Sequence, residues 1–507
     1  MKKLVTLLLT MLMVLSALVS VNAEEAIPTV TFLTNINVDT EGYDANDNPY
    51  IDYLREATGV NIQVISEATN YDQKLATVMG SGSYPDYVMI TNRDTLMMYA
   101  EQGLLMDLTD YVAETQNLKD GIMDVTWNLV TNDGKIWAVP MERFDAMPYM
   151  SFVRKAWLEN LGVNIEDVKT IDDWYDLLYS FTYDDPDGNG VDDTYGFTAY
   201  TSGTNVRNAN MLNFFQDSFN AANYQIIDGQ VIPNYITPEY KDWLKFMNRL
   251  YADGIMDPEY LTNTYTQVFE KSVDGHYGLF SAFWSIQEFL SYGGNRSDLV
   301  AVAAPDKADG SPAKYRYGST ARHYIALTRT AKNPEAIMKV LDWAYSDEGG
   351  IYVHAGKEGL DYDIVDDKIV MREGRDGGKN WAWRYLTLGI QKSNVDDKLR
   401  TVLEGSWGAD AIRDWQFSNE CGMYDYAAMY EPYFSELADY DLDSIVCTFR
   451  DNAIMGLIDI DAEWDTFVES WKNAGGNKWI ELHTDWYNNE FADAYPDLIA
   501  TVEAYAK

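Results

Sequence analysis

The sequence predicts an α/β fold with a mainly parallel sheet covered by helices on both faces. Strand-like and helix-like patterns alternate from Pro28 onwards, which is the order that builds such sheets. The chain has 507 residues, enough for two or three domains with substantial cores. It shows no internal repeat and no low-complexity linker, which fits halves interwoven by several crossings better than beads on a string.

The elements follow in order. Lys2 and Lys3 precede an apolar run from Leu4 to Val19, and Val21-Asn22-Ala23 places small residues before a cleavage point. Residues 1–23 therefore read as a secretory signal, with the mature chain exported. Pro28 to Asn35 reads as a first strand and Asn48 to Thr58 as a helix ended near Gly59. Val60 to Ser66 alternates again as a strand. Tyr71 to Met79 is helical until Gly80-Ser81-Gly82 stops it, and Tyr84 to Ile90 leads into a third strand. Further on, Trp137–Pro140 ends a strand pattern and a helix begins near Arg154. Gly318 to Leu327 is strand-like and precedes a helix started by Pro334.

Composition removes several functions. A net charge of −42 opposes binding to nucleic acid or anionic membrane, since phosphate needs the opposite sign. The 47% hydrophobic content marks a globular chain despite that charge. Cys421 and Cys447 lack metal-site spacing; they either pair in an oxidising compartment or stay as buried thiols. Fifteen Trp and 37 Tyr exceed what a core alone needs. Their flat apolar faces and polar tips suit sugars, although most of them fill the interior. No GxSxG, HExxH, Walker or GxGxxG motif occurs, and four histidines leave few candidates for imidazole catalysis.

One stretch carries metal chemistry: Asp184 to Gly196, DDPDGNGVDDTYG. Asp185, Asp187 and Asn189 match positions 1, 3 and 5 of an EF-hand-type loop, Gly190 falls at the sharp turn, and Val191 offers its carbonyl. Asp193 adds a further oxygen. Calcium takes about 6–8 such ligands. The bidentate Glu expected last is replaced by Gly196, and the plain alternative is an Asx-rich solvent loop.

Blocks in order over nearly the whole mature chain resemble one family. They include GSGSYPDYVMI, GKIWAVP at 134–140, VRKAWLENLGVN at 153–164, NRLYADGIMDPEY at 248–260 and KNPEAIMKVLDWAYSDEGG at 332–350. DIDAEWDTFVESWKNAGGNKWIELHTDWYN at 459–488 continues the series. These resemble bacterial extracellular solute-binding proteins of carbohydrate ABC transporters, most of all the large oligosaccharide-binding subgroup with lipoprotein and alginate-binding members. The resemblance implies a two-lobed, periplasmic-binding-protein-like fold with interwoven lobes and a hinge. Lobe one would span 24–142 with 318–358, and lobe two 143–317 with 359–507. It further implies capture of an oligosaccharide by a monomer, delivery to permease subunits, and no catalysis. Alginate-binding members carry a loop of the form D-P-N-G-N-G-x-x-D-E. Asp185, Asp187, Asn189, Val191 and Asp193 fall on its ligands, implying structural Ca2+, while Thr194 replaces the closing Glu. The Cys that would anchor a lipid at the signal cleavage site is also missing.

Ligands of open α/β sheets sit outside the carboxyl ends of strands. That picks Asn35 after the first strand and Asp86 in a strand-flanking loop. Arg143 and Asn208 lie in candidate hinge and lobe-two loops, Trp284 follows a strand end with small neighbours, and Arg322 sits in the returning strand. Trp381 and Trp383 alternate, so one faces the cleft while the other packs. The alternatives are ordinary: capped loops, core tryptophans and surface ion pairs. Two other functions are weighed against capture. A secreted glycan-degrading enzyme needs only two carboxylates, and a polysaccharide-binding surface protein would show repeats.

Overall fold

The computed structural model describes residues 27–35, 44–67, 70–142, 149–201, 211–222, 224–283, 287–317, 319–366, 368–372 and 409–505. The chain opens with β1 (Thr29–Thr34), α1 (Pro49–Thr58), β2 (Asn61–Ser66), α2 (Tyr71–Ser81) and β3 (Tyr87–Ile90), the order expected from the sequence. Asn48 Oδ1 accepts from the N–H groups of Tyr50 and Ile51, which fixes the start of α1, and Gly59 ends it at φ 69°. β1 pairs in parallel with β2 and β3. All four residues of β3 are buried: Tyr87 and Met89 enter one core, Val88 and Ile90 the other. A strand covered on both faces reads as a continuous apolar run, which explains the sequence YVMI. α3 (Arg93–Glu101), α4 (Asp124–Asn128) and β4 (Val139–Glu142) complete this passage.

Beyond residues 143–148 the chain builds a second sheet. Its parts are β5 (Tyr149–Arg154), α5 (Lys155–Leu161), α6 (Ile171–Tyr183), β6 (Tyr195–Phe197), α7 (Pro238–Ala252), α8 (Tyr265–Val273), β7 (Tyr277–Phe283) and β8 (Leu299–Val302). The strand order is β8-β5-β7-β6. Thr170 and Asp173 form a reciprocal cap on α6, whose Trp174, Leu178 and Phe181 point inward at helical spacing.

The return begins at β9 (Tyr315–Tyr317) and β10 (Ala321–Leu327). β10 inserts antiparallel between β3 and β4, so the first sheet runs β2-β1-β3-β10-β4. α9 (Pro334–Ala344) starts at Pro334 as expected. The hairpin β11 (Tyr362–Val365) with β12 (Lys368–Met371) hangs on the first half: Tyr50 Oη donates to Asp361 Oδ1 at 2.8 Å.

The C-terminal part is α10 (Ala409–Cys421), β13 (Gly422–Tyr424), α11 (Tyr426–Tyr430), α12 (Leu442–Ile454) and α13 (Ile460–Trp471), followed by further helices to Tyr505. β13 pairs in parallel with β9. α12 and α13 pack on α7, and Trp243, Trp464 and Trp471 share one core with Trp174. Buried Asp414 of α10 pairs with Arg296, fastening α10 to the second half. The region also reaches back, since Arg93 Nη1 of α3 donates to Glu431 O at 2.8 Å. Cys421 and Cys447 are both free thiols; burial raises both, Cys421 to about 11, so neither is a reactive thiolate. Among the described residues no helix is long and apolar enough to cross a membrane.

Candidate ligand cleft and acidic loop

In each sheet the strand directions define one edge at which the chain crosses between the sheets. β4 runs parallel to β1 and β3, because each of β3 and β4 is antiparallel to β10. The carboxyl ends of β1, β3 and β4 and the amino end of β10 therefore share an edge. Asn35, half-buried, follows β1 there, and Arg322 stands exposed in the first turn of β10. In the second sheet, β5 starts where β7 and β8 end, with Tyr149 opposite Phe283 and Ser151 opposite Val302. β6 runs parallel to β7 and ends on that edge too. Seven peptide units separate Glu142 from Tyr149, so these two edges lie within about 25 Å of chain.

The connections carrying Arg143, Asn208 and Trp284 all enter or leave this second edge, at β5, β6 and β7 respectively. The three residues themselves, with Trp381 and Trp383, lie outside the described residues. Asp86 belongs elsewhere. It precedes β3 and so sits at the amino end of the sheet, away from the shared edge. Its Oδ2 accepts from Thr31 N (2.7 Å) and Thr31 Oγ1 (2.8 Å), and its Oδ1 from Lys332 N (2.7 Å). Those bonds tie β1, β3 and the approach to α9 together. Asp86 is a fold-building residue, corrected from the ligand set, because a loop that flanks a parallel strand faces the cleft only at its carboxyl end.

Sequence reasoning missed Tyr200 and Tyr265. Tyr200 comes three residues after β6, half-buried, and meets the ring of Tyr265 edge-on, 5.8 Å away at 87°. Beneath them lies a buried polar network. Asp257 Oδ2 accepts from Thr198 Oγ1 (2.8 Å) and Asn263 Nδ2 (2.7 Å), and Oδ1 accepts from Glu259 N (2.9 Å). Asn263 also donates to Ala199 O (3.0 Å), and Lys271 Nζ donates to Asn263 Oδ1 (2.7 Å). Burial opposes ionisation of Asp257, but donation from Asn263, Glu259 N–H, Thr198 and Tyr277 outweighs it and holds the carboxyl below its usual range. The network fixes residues 198–200 as they leave β6. No motif announces it, because its members come from three separate stretches.

The acidic loop joins α6 to β6 and is tied internally. Gly190 N donates to both carboxylate oxygens of Asp185 at 3.1 Å, and Val191 N to Asn189 Oδ1 at 2.6 Å. Asn189 Nδ2 lies 2.8 Å from Asp187 Oδ2 and 3.3 Å from Asp193 Oδ1, so both carboxylates converge on one donor. Gly188 and Gly190 take φ 70° and 76°, a region closed to most side chains. The oxygens of Asp185, Asp187, Asn189, Val191 and Asp193 suit a hard cation in type. The closing ligand is absent for a packing reason. Thr194 is buried and donates its hydroxyl to Phe181 O at 2.9 Å. A side chain at Gly196 would place its Cβ 2.5 Å from Ile255 Cγ2 and 2.7 Å from Leu178 O. Among the described residues no group of three or more His, Cys, Asp or Glu closes round a metal position.

Comparison with known proteins places this geometry in a family. The bacterial extracellular solute-binding protein family matches residues 39–351. Lipoprotein LipO of Bacillus subtilis is 25% identical, over 86% of this chain and 88% of its own. Among solved structures, Streptococcus pneumoniae FusA, an ABC-transporter substrate-binding protein in complex with kestose, aligns with a TM-score of 0.70 at 19% identity. It covers 92% of this chain and all of that one, 100%. The alginate-binding protein AlgQ2 without calcium ion aligns at 0.71, also at 19% identity, over 92% and 99% of the two chains. An EF-hand mutant of FusA is also among the structures of this fold. With the family matched over more than half its length, and a two-lobed α/β fold in common with these neighbours, this chain belongs to the bacterial extracellular solute-binding proteins.

Proposed function

We propose that the protein is the substrate-binding component of an ABC importer, capturing an oligosaccharide between its facing sheet edges and delivering it unaltered to permease subunits. The observation that supports this reading most is the half-buried aromatic pair Tyr200 and Tyr265, just past the end of β6 and beside a buried polar network. Aromatic faces hold sugar rings while Asn and Arg groups bond hydroxyls, and closure removes both from water. The ligand set is Asn35 and Arg322 on the first edge and Tyr200 and Tyr265 on the second, with Arg143, Asn208, Trp284, Trp381 and Trp383 contributed by segments outside the described residues. The first lobe takes residues 24–142 and returns from 318 through the β11–β12 hairpin; the second takes the rest. Residues 1–23 direct export, and the mature protein acts as a monomer.

A thermal-shift screen of neutral and acidic oligosaccharides tests the reading. A true ligand at a hundred times its Kd is expected to add about 2.7 kcal/mol of stability. Tyr200→Ala is expected to weaken that ligand by roughly 0.5–1.5 kcal/mol, up to about tenfold in Kd. A screen without any shift, alongside shortened sugars in the mixture, would favour a glycan-degrading enzyme.

The acidic loop, in this reading, takes calcium through Asp185, Asp187, Asn189, Asp193 and the Val191 carbonyl, as a structural ion pinning the α6–β6 connection. The missing closing carboxylate makes it a weak site. Adding calcium to chelator-treated protein is expected to raise Tm slightly and saturate only at millimolar levels, roughly 10⁻⁴–10⁻³ M. An unchanged Tm at saturating calcium removes the ion from the account.

A further inference from the structure

α6 carries Tyr175, Tyr179 and Tyr183 about one helical turn apart, on a face turned from the buried Trp174, Leu178 and Phe181. The rings follow one another along the helix. Tyr175 and Tyr179 have centroids 6.3 Å apart, Tyr179 and Tyr183 4.7 Å, with planes inclined by 33° and 45°. Tyr175 is half-buried, whereas Tyr179 and Tyr183 are 44% and 48% exposed. Among the described residues this is the one ring pair in which both members are exposed.

The turn after α7 holds the ladder rigid. Tyr175 Oη donates to Asp253 Oδ2 at 2.7 Å and Tyr183 Oη to Asp253 O at 2.5 Å, so one residue clamps both ends. The second bond needs glycine beside it: a Cβ at Gly254 would lie 2.9 Å from Tyr183 Oη, and φ there is 68°. The Arg249 guanidinium covers Tyr175, 3.6 Å from the ring centroid, and its Nε lies 3.7 Å from Asp253 Oδ2. Rings fixed in this way lose little freedom when a ligand settles on them. Tyr183 leads into the acidic loop and the start of β6, whereas Tyr200 follows the end of that strand. The ladder is therefore separate from the candidate cleft.

Charge and area select the occupant. α6 contains no Lys or Arg, Asp172 and Asp176 stand exposed beside the rings, and the chain carries −42 overall. A polyanion, whether nucleic acid, anionic lipid or acidic polysaccharide, is repelled. The exposed parts of Tyr179 and Tyr183 together amount to about one tyrosine surface, roughly 150–250 Å². A stable protein interface buries about 800 Å² per partner, so the strip is too small for a folded partner. A row of flat rings in water suits a neutral glycan chain, whose successive sugars each present a C–H face to stack and hydroxyls to the solvent. We propose that this face of α6 is a second carbohydrate site, a tyrosine ladder that holds the protein along a neutral polysaccharide. It acts independently of the cleft and does not rest on the capture reading.

Native affinity electrophoresis of the mature chain tests the proposal, in gels containing starch, galactomannan, mixed-linkage β-glucan or, as the polyanion, polygalacturonan. Wild type is expected to be retarded by at least one of the three neutral polysaccharides. Tyr179→Ala is expected to weaken that retardation about tenfold. Tyr179 takes no part in the Asp253 bonds, so its loss is expected to leave Tm unchanged. Tyr179→Phe keeps the ring and is expected to keep the retardation, which carries the test if the alanine variant fails to fold. Tyr200→Ala, altered in the cleft alone, is expected to migrate as wild type. Free migration in all three neutral gels, or retardation that survives Tyr179→Ala, overturns the proposal. So does retardation lost in Tyr200→Ala, which would place the polysaccharide in the cleft. Retardation by polygalacturonan that Tyr179→Ala abolishes, or a dimer in sedimentation that it dissolves, would give the face to another occupant and overturn the proposal equally.

Discussion

Replacing Asp257 with alanine is expected to cost about 3–5 kcal/mol, read as a fall in the urea midpoint. The carboxylate is 1% exposed and accepts from Thr198, Asn263 and the Glu259 N–H, with Lys271 Nζ at 3.4 Å. Removing it strands the Thr198 hydroxyl proton and one Asn263 N–H in the interior, while Lys271 keeps Glu259 Oε2 and Asn263 Oδ1, both at 2.7 Å. Two further consequences separate this from a generic core defect. Asp257→Asn keeps one acceptor and the shape, so its loss is expected to be clearly smaller. The alanine variant frees residues 198–200 as well, so any glycan ligand is expected to bind it more weakly in proportion to how far Tyr200 has lost its seat.

The second large effect is a stability change with pH. Burial pushes the Glu142 carboxyl up to about 7 from an ordinary 4.5. The folded state thus holds a proton that the unfolded chain releases first. Its contribution is fully present below 4.5 and lost as pH rises to about 7, after which the profile is flat. About 2.5 pH units at roughly 1.4 kcal/mol each gives a loss on the order of 3 kcal/mol. Glu142→Gln is expected to erase that slope and to be more stable than wild type above pH 7. Asp257 acts in the opposite sense, because its carboxyl is held below its ordinary 3.8. Its contribution is lost at the acid end as pH falls through that depressed range. Together the two place the maximum of stability on the acid side of neutrality, and urea denaturation across pH reads it directly.

Local signals carried the framework of the first sheet. Alternation in PTVTFLTN, the Asn48 and Gly59 boundaries and Pro334 are decided by neighbours in sequence, and they stand where expected. Asp86 went astray because a strand-flanking loop can belong to either end of a strand. The end became plain only once β3 had a direction in its sheet. Tyr200 and Tyr265 were invisible for a related reason: each is an ordinary half-polar ring until β6 and α8 bring them edge to face. Glu142 lies in VPMERF, which gives no sign of a buried acid. Its burial is made by Thr126, Thr320 and Tyr345, all distant in the chain. The acidic loop was legible in its donors. The loss of its closing ligand acquired a cause only in three dimensions, where Leu178 and Ile255 crowd Gly196 and Phe181 O takes up Thr194.

The most direct measurement is calorimetric titration of the mature protein with the best oligosaccharide from the screen, followed by mass analysis of the sugar recovered. Reversible capture requires one saturable site per chain, a negative heat-capacity change from the apolar surface buried on closure, and a sugar of unchanged mass. Recovery of cleaved or transferred sugar, or heat that never saturates with any glycan, contradicts the account.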